Sequence, residues 1–169
     1  SEPGKILDQT RELVIKEFEK SEEDVKDGMD ISICSLNPMT KELKWAGANN
    51  PLWIIPKAIA EQQEPSLDDV IEIKPDKQPI GKYADPQPFT THSMRLNEGD
   101  TVYIFTDGYA DQFGGPKGKK FKYKAFKELL LEVSLRPMNE QRTIINDRFE
   151  AWRGDLEQID DVCIIAVKV

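Results

Sequence analysis

Histidine is nearly absent from this chain: His92 is the single one in 169 residues. A Ser-His-Asp triad or a histidine-rich zinc centre therefore lacks its parts. Cysteine is scarce as well. Cys34 and Cys163 each fall inside an apolar, strand-like run, so both read as small buried hydrophobes rather than as a disulfide or a metal pair. That usage fits a cytoplasmic protein. No apolar run approaches the length that spans a bilayer, and the first residues lack the basic-then-apolar pattern of a signal peptide, so no membrane contact is expected. There is no Gly-x-x-x-x-Gly-Lys loop for nucleotide phosphates. A calcium loop opening at Asp107 fails, because Gln112 stands where Gly is required and Gly118 where Glu is required. Positive charge is in deficit: 23 Lys and Arg against 31 Asp and Glu leave a net charge of −8, which argues against nonspecific binding to nucleic acid or anionic membrane.

What is present is a globular composition. Hydrophobic residues make up 38% and charged residues 32%, outside the range of disordered chains, and the length suits one domain over residues 1–169. Ile6, Leu7, Leu13, Val14 and Phe18 recur at helical spacing and predict an amphipathic helix over 5–20. A charged turn follows at 21–28. Strands are predicted over 31–36 and 43–48, joined by Asn37-Pro38-Met39-Thr40, and over 52–55 after the turn Asn49-Asn50-Pro51. Residues 60–69 read as a polar loop, 70–74 as a short strand and 75–88 as an irregular, proline-bearing connection. Strands 90–96 and 101–105 flank the turn Asn97-Glu98-Gly99-Asp100. Helices are predicted over 123–133 and 139–152, separated by Pro137, and a last strand over 162–169. Hairpins dominate and helices sit toward the chain ends, which is an α+β pattern of antiparallel sheets covered by helices rather than a βαβ array. Trp45, Trp53 and Trp152 read as packing residues.

The chemistry concentrates at two strand ends. Thr106-Asp107-Gly108 closes the apolar strand 101–105, and Asp160-Asp161 opens the last strand. Carboxylates at such positions are rarely left without a partner or a metal, and their oxygens suit hard cations such as Mg2+ or Mn2+. Asp107 and Asp160 are the candidate ligands. Gly108 would let the backbone turn sharply behind Asp107. Asp161 stands beside the site, as a further ligand or a supporting residue. Adjacent aspartates repel, and a cation beside them removes that penalty. Residues 112–120, with Gly114, Gly115 and Gly118, read as a mobile loop. There Lys117, Lys119 and Lys120 either attract an anionic substrate or form a solvated basic face.

These segments resemble the metal-dependent serine/threonine protein phosphatases, and within them the bacterial SpoIIE/RsbU-type branch. Thr106-Asp107-Gly108 and Asp160-Asp161-Val162 look like the family's last two metal motifs. Asp27-Gly28-Met29-Asp30-Ile31, Gly47-Ala48-Asn49-Asn50-Pro51, Gln78-Pro79-Ile80-Gly81 and Glu98-Gly99-Asp100 match its other segments in order. The resemblance implies an α/β/β/α sandwich. It implies two divalent ions, Mn2+ or Mg2+, whose activated water attacks the phosphorus of a phosphoserine or phosphothreonine, with no catalytic nucleophile from the protein. By the same resemblance Asp107 and Asp160 would hold the second metal, and Gly114, Gly115 and Lys117 would belong to a flap over the substrate. The partner implied is a phosphorylated protein of sigma-factor signalling, such as an anti-sigma-factor antagonist. The family's opening Asp-x-x-Gly-His-Gly-like motif does not occur here, so an N-terminally truncated domain, weakly active or inactive alone, is expected. An unpaired sheet edge would then favour a homodimer. The alternative is a catalytically inactive, phosphatase-like interaction module.

Overall fold

The computed structural model describes residues 2–19 and 28–169. In chain order the elements are α1 (Pro3–Phe18), β1 (Ile31–Leu36), β2 (Glu42–Ala48), β3 (Leu52–Ile55), α2 (Lys57–Ala60), β4 (Ile71–Ile73), β5 (His92–Arg95) and β6 (Thr101–Phe105). There follow α3 (Gly108–Asp111), β7 (Phe113–Gly114), β8 (Lys119–Lys120), α4 (Tyr123–Val133), α5 (Met138–Arg153) and β9 (Ile164–Lys168). Contacts divide the chain into two units, residues 1–52 with 73–96 and residues 53–72 with 97–169. Helices and antiparallel strands make up both, so the chain is α+β. No helix among the described residues is long and apolar enough to cross a membrane.

In the first unit the sheet runs β1-β2-β5, antiparallel throughout. Helix α1 begins earlier than its apolar spacing predicts because Pro3 sits in the first turn, where a missing N–H is not needed. Its Leu7 packs with Ala46, Ala48, Ile80 and Phe89, all buried; a side chain of that size gains about 1.5–3 kcal/mol from such burial. Lys20 and the predicted turn, Gly28 apart, lie outside the described residues. His92 pairs across the ladder with Trp45, ring centroids 5.5 Å apart, which is a packing position on a strand. Asn49 adopts φ +59°, a conformation Asn tolerates, and its amide donates to the Asp30 carboxylate at 2.8 Å. The connection 75–88 is knitted by buried Gln78. Its Oε1 accepts from Arg11 Nη1 (3.1 Å) and the Gln87 N–H (3.0 Å), and its Nε2 donates to the Gln87 carbonyl at 2.8 Å.

In the second unit the sheet order is β4-β3-β6-β9, with β6 and β9 antiparallel. Its core is aromatic. Trp53 lies 4.5 Å from Phe105, and Tyr109 stacks on Phe126 at 4.5 Å. Two phenols are buried and satisfied: Tyr103 donates to Gln141 Oε1 (2.7 Å) and Tyr109 to the Ile145 carbonyl (2.9 Å). Burial pushes both hydroxyls far above the usual tyrosine pKa, so they stay protonated donors at neutral pH. Asp100 anchors the entry to β6: its buried carboxylate accepts from the Lys57 N–H at 3.0 Å and the Asn97 N–H at 2.8 Å. Asp100→Ala strands both donors and is expected to lower the unfolding free energy by about 2 kcal/mol, read as a shifted urea midpoint.

Several boundaries differ from the sequence expectation. Residues 60–69 carry the end of α2 and a 3-10 turn at Leu67–Asp69, whose entry Ser66 caps by accepting from the Asp68 N–H at 3.2 Å. The strands near 70–74, 90–96 and 162–169 are shorter, at Ile71–Ile73, His92–Arg95 and Ile164–Lys168. Cys34 is half-buried, and burial raises its thiol pKa. Cys163 is exposed, against expectation. The two-residue alternation leading into β9 turns Val162, Ile164 and Ala166 to the core, and Cys163 falls on the opposite face with exposed Ile165 and Val167.

Candidate functional site

Buried Val102, Tyr103 and Phe105 pin β6 in the sheet and bring Thr106 to its rim. Thr106 then ties β6 to the chain that leads into β9. Its N–H donates to the Cys163 carbonyl at 3.0 Å. Its hydroxyl donates to the Asp161 carbonyl at 2.8 Å and accepts from the Cys163 N–H at 2.9 Å. Valine would have the same shape and would lose both hydroxyl bonds.

Asp107 follows, half-buried, at the start of α3, and its carbonyl accepts from the Asp111 N–H at 2.9 Å. Gly108 has a different task from the sharp turn expected of it. It is helical and buried, with no positive φ. What it provides is proximity: a Cβ there would stand 2.5 Å from the Asp161 carbonyl oxygen and 3.3 Å from that of Asp160. The structure therefore brings the Asp107 and Asp160 strand ends against each other, backbone to backbone.

Asp160 and Asp161 are exposed. Asp160 Oδ1 accepts from the Asp161 N–H at 2.7 Å, which orients one carboxylate and offsets part of the repulsion between neighbours. Asp161 contributes through its backbone, giving its carbonyl to Thr106 and its N–H to Asp160. Gln158 Nε2 donates to the Asp160 carbonyl at 2.8 Å.

Gln112 is a positioning residue that sequence reasoning missed. It is fully buried. Its Nε2 donates to the Phe113 carbonyl (3.0 Å) and the Glu157 carbonyl (2.9 Å), and its Oε1 accepts from the Ile159 N–H at 3.3 Å. One amide thus holds the segment that delivers Asp160. A polar residue directly before aromatic Phe113 was the available signal; its partners Glu157 and Ile159, more than 40 residues away, were not visible.

The predicted mobile loop is a hairpin. Phe113 pairs with Lys120 and Gly114 with Lys119. The hairpin is docked on α5, where the Gly115 N–H donates to the Trp152 carbonyl at 2.8 Å and Trp152 Nε1 donates to the Gln112 carbonyl at 3.1 Å. Gly114 and Gly115 serve close approach to Trp152 rather than mobility. Lys117 lies exposed beyond them.

The donors at the strand ends are all oxygen, which suits magnesium or manganese better than zinc. Among the described residues no three His, Cys, Asp or Glu side chains converge as a metal cluster. What the structure brings together is the backbone of the two strand ends that carry Asp107 and Asp160.

The fold is that of the PP2C-type phosphatase domains. The chain matches the SiaA-PP2C domain of Pseudomonas aeruginosa with a TM-score of 0.83 and 24% identity, over 99% of this chain and 61% of that one. It matches the phosphatase domain of the cell fate determinant SpoIIE from Bacillus subtilis with a TM-score of 0.59 and 14% identity, over 99% of this chain and 74% of that one. The RsbU and RsbW domains of a Mycobacterium tuberculosis protein give a TM-score of 0.60 and 16% identity, over 95% of this chain and 47% of that one. The chain therefore spans less than two thirds of the SiaA domain it matches. The model of the family described as Stage II sporulation protein E (SpoIIE) matches residues 1–169, and the chain belongs to that family. No curated protein sequence matches it.

Proposed function

We propose that this chain is part of a metal-dependent protein serine/threonine phosphatase and supplies two of its carboxylate ligands, Asp107 and Asp160. The observation that carries the reading is the packing of Gly108 against Asp160 and Asp161, which unites the two aspartate-bearing strand ends at one rim. A bound Mn2+ or Mg2+ would polarise the phosphoryl oxygens and lower the pKa of water. The chain's own contribution is placement. Thr106 and Gly108 fix the strand ends, and Gln112 and Gln158 hold the segment that presents Asp160. Support for the ions comes from the related SpoIIE phosphatase domain, studied after manganese presoaking, and from RsbX in complex with magnesium. The substrate class is a phosphoserine or phosphothreonine protein. A partner of the anti-sigma-factor-antagonist kind is part of the proposal, by the resemblance of the chain's motifs to the SpoIIE/RsbU-type branch.

Calorimetric titration with manganese tests this directly. The parent chain is expected to bind, and Asp107→Asn and Asp160→Asn each to weaken binding by at least the ~10–100-fold that loss of a supporting partner costs a metal site. Unchanged affinity in either variant would remove that residue from the site. Manganese-dependent release of phosphate from a phosphoserine peptide by the full-length gene product is the matching activity. Metal binding without phosphate release would leave the second reading, an inactive interaction module, which the exposed cationic hairpin supports.

A further inference from the structure

Between Phe113 and Lys127 the chain holds six lysines and no acidic residue, in a protein whose net charge is −8. Among the described residues, carboxylates answer two of them: Asp111 pairs with Lys120 at 2.9 Å and Glu72 with Lys127 at 3.0 Å. Lys117, Lys119, Lys122 and Lys124 are exposed and make no ion pair among the described residues. Aromatic surface lies among them, with Phe113 and Tyr123 each 40% exposed. Because the hairpin is docked on Trp152, these cations are presented from a fixed scaffold.

Lys122 sharpens the point. Its backbone sits at φ +75°, ψ 149°, a region nearly reserved for glycine. It immediately precedes α4, whose first turn carries no acidic residue, so the helix dipole also opposes its charge. The fold tolerates a cation where conformation and electrostatics both disfavour one, and no described residue pairs with it. The patch adjoins the candidate site. The Lys122 N–H donates to the Ala110 carbonyl at 2.7 Å, and Lys120 reaches Asp111, one helical turn beyond Asp107.

We propose that this cationic face of the hairpin docks an acidic segment of the phosphoprotein substrate, flanking its phosphorylated residue. The proposal rests on the phosphatase reading and names the sequence character of that substrate. A short acidic peptide fits better than a long polyanion or a membrane. Four charges unpaired among the described residues are enough for a few carboxylates, whereas an extended anionic surface would meet the chain's net negative charge beyond the ~8 Å range over which the patch acts.

The test is fluorescence anisotropy at about 0.15 M salt without added metal. It compares a labelled phosphoserine peptide flanked by Glu and Asp with the same peptide flanked by Gln and Asn. The acidic peptide is expected to bind about tenfold more tightly, with the difference falling as salt rises. A Lys117→Glu/Lys119→Glu double variant should erase that preference, and Lys16→Glu should leave it intact. Lys122→Gly should weaken acidic-peptide binding about threefold while raising the thermal midpoint, a combination that a purely structural lysine would not give. Equal binding of the two peptides would overturn the proposal. So would an equal loss in Lys16→Glu, or tighter binding of a single-stranded oligonucleotide or of phosphatidylserine vesicles. Failure of manganese binding with peptide discrimination intact would strike the phosphatase reading alone. Manganese binding without discrimination would strike the docking face alone.

Discussion

Alanine at position 108 is expected to remove about 3 kcal/mol of stability and, with it, manganese binding. The added methyl would stand 2.5 Å from the Asp161 carbonyl oxygen and 3.0 Å from its carbonyl carbon. Both are backbone atoms, so no side chain can rotate away to make room. Relief requires the ends of β6 and β9 to part. That movement would break the hydroxyl bonds of Thr106 to Asp161 and Cys163, at 2.8 and 2.9 Å. Asp107 and Asp160 would separate with them. Denaturant unfolding and manganese calorimetry on one preparation check both halves. A Gly108→Ala protein that binds manganese like the parent would show that backbone proximity does not make the site.

Gly114→Ala is the second large effect, also about 3 kcal/mol. Here the methyl would fall 1.9 Å from the Trp152 carbonyl oxygen and 2.7 Å from its ring. The hairpin would have to lift from α5. The 2.8 Å bond from the Gly115 N–H would be lost, and the Trp152–Phe121 edge contact at 5.3 Å would be exposed to water. A red-shifted tryptophan emission together with an earlier thermal transition is the expected signature. The disturbance should reach Asp160 as well, because Trp152 holds the Gln112 carbonyl and Gln112 holds Glu157 and Ile159. An unchanged emission maximum would mean that the hairpin stays docked by other means.

Legibility in the sequence followed how local each cause was. The strand Thr101–Phe105 and the helix Tyr123–Val133 were readable because their own apolar residues and bounding turns specify them. The first helix was misplaced by two residues because Pro3 sets a start that hydrophobic spacing cannot show. Gly114 and Gly115 were misread because a glycine used for close approach looks, in sequence, like one used for flexibility. Cys163 was assigned to the interior because an apolar run conceals which face each residue takes. Asp107 and Asp160 were readable as types, a carboxylate at each of two strand ends. Their proximity is a tertiary fact, carried by Thr106 and Gly108. Gln112 escaped because Glu157 and Ile159, which it holds, belong to a segment that only the folded chain brings near.

The bond from the Cys163 N–H to the Thr106 hydroxyl closes a loop of 57 residues, and α4 and α5 fold inside it. Closure of that span is entropically expensive until the helices have shortened it, so this contact belongs to the late, non-local part of folding. A partly folded form that keeps α4 and α5 but frays β9 has both aspartates and no site. Amide hydrogen exchange at Cys163 therefore reports the fraction of molecules in which the two strand ends are joined. Any ion that prefers the assembled state would slow that exchange in proportion to its occupancy.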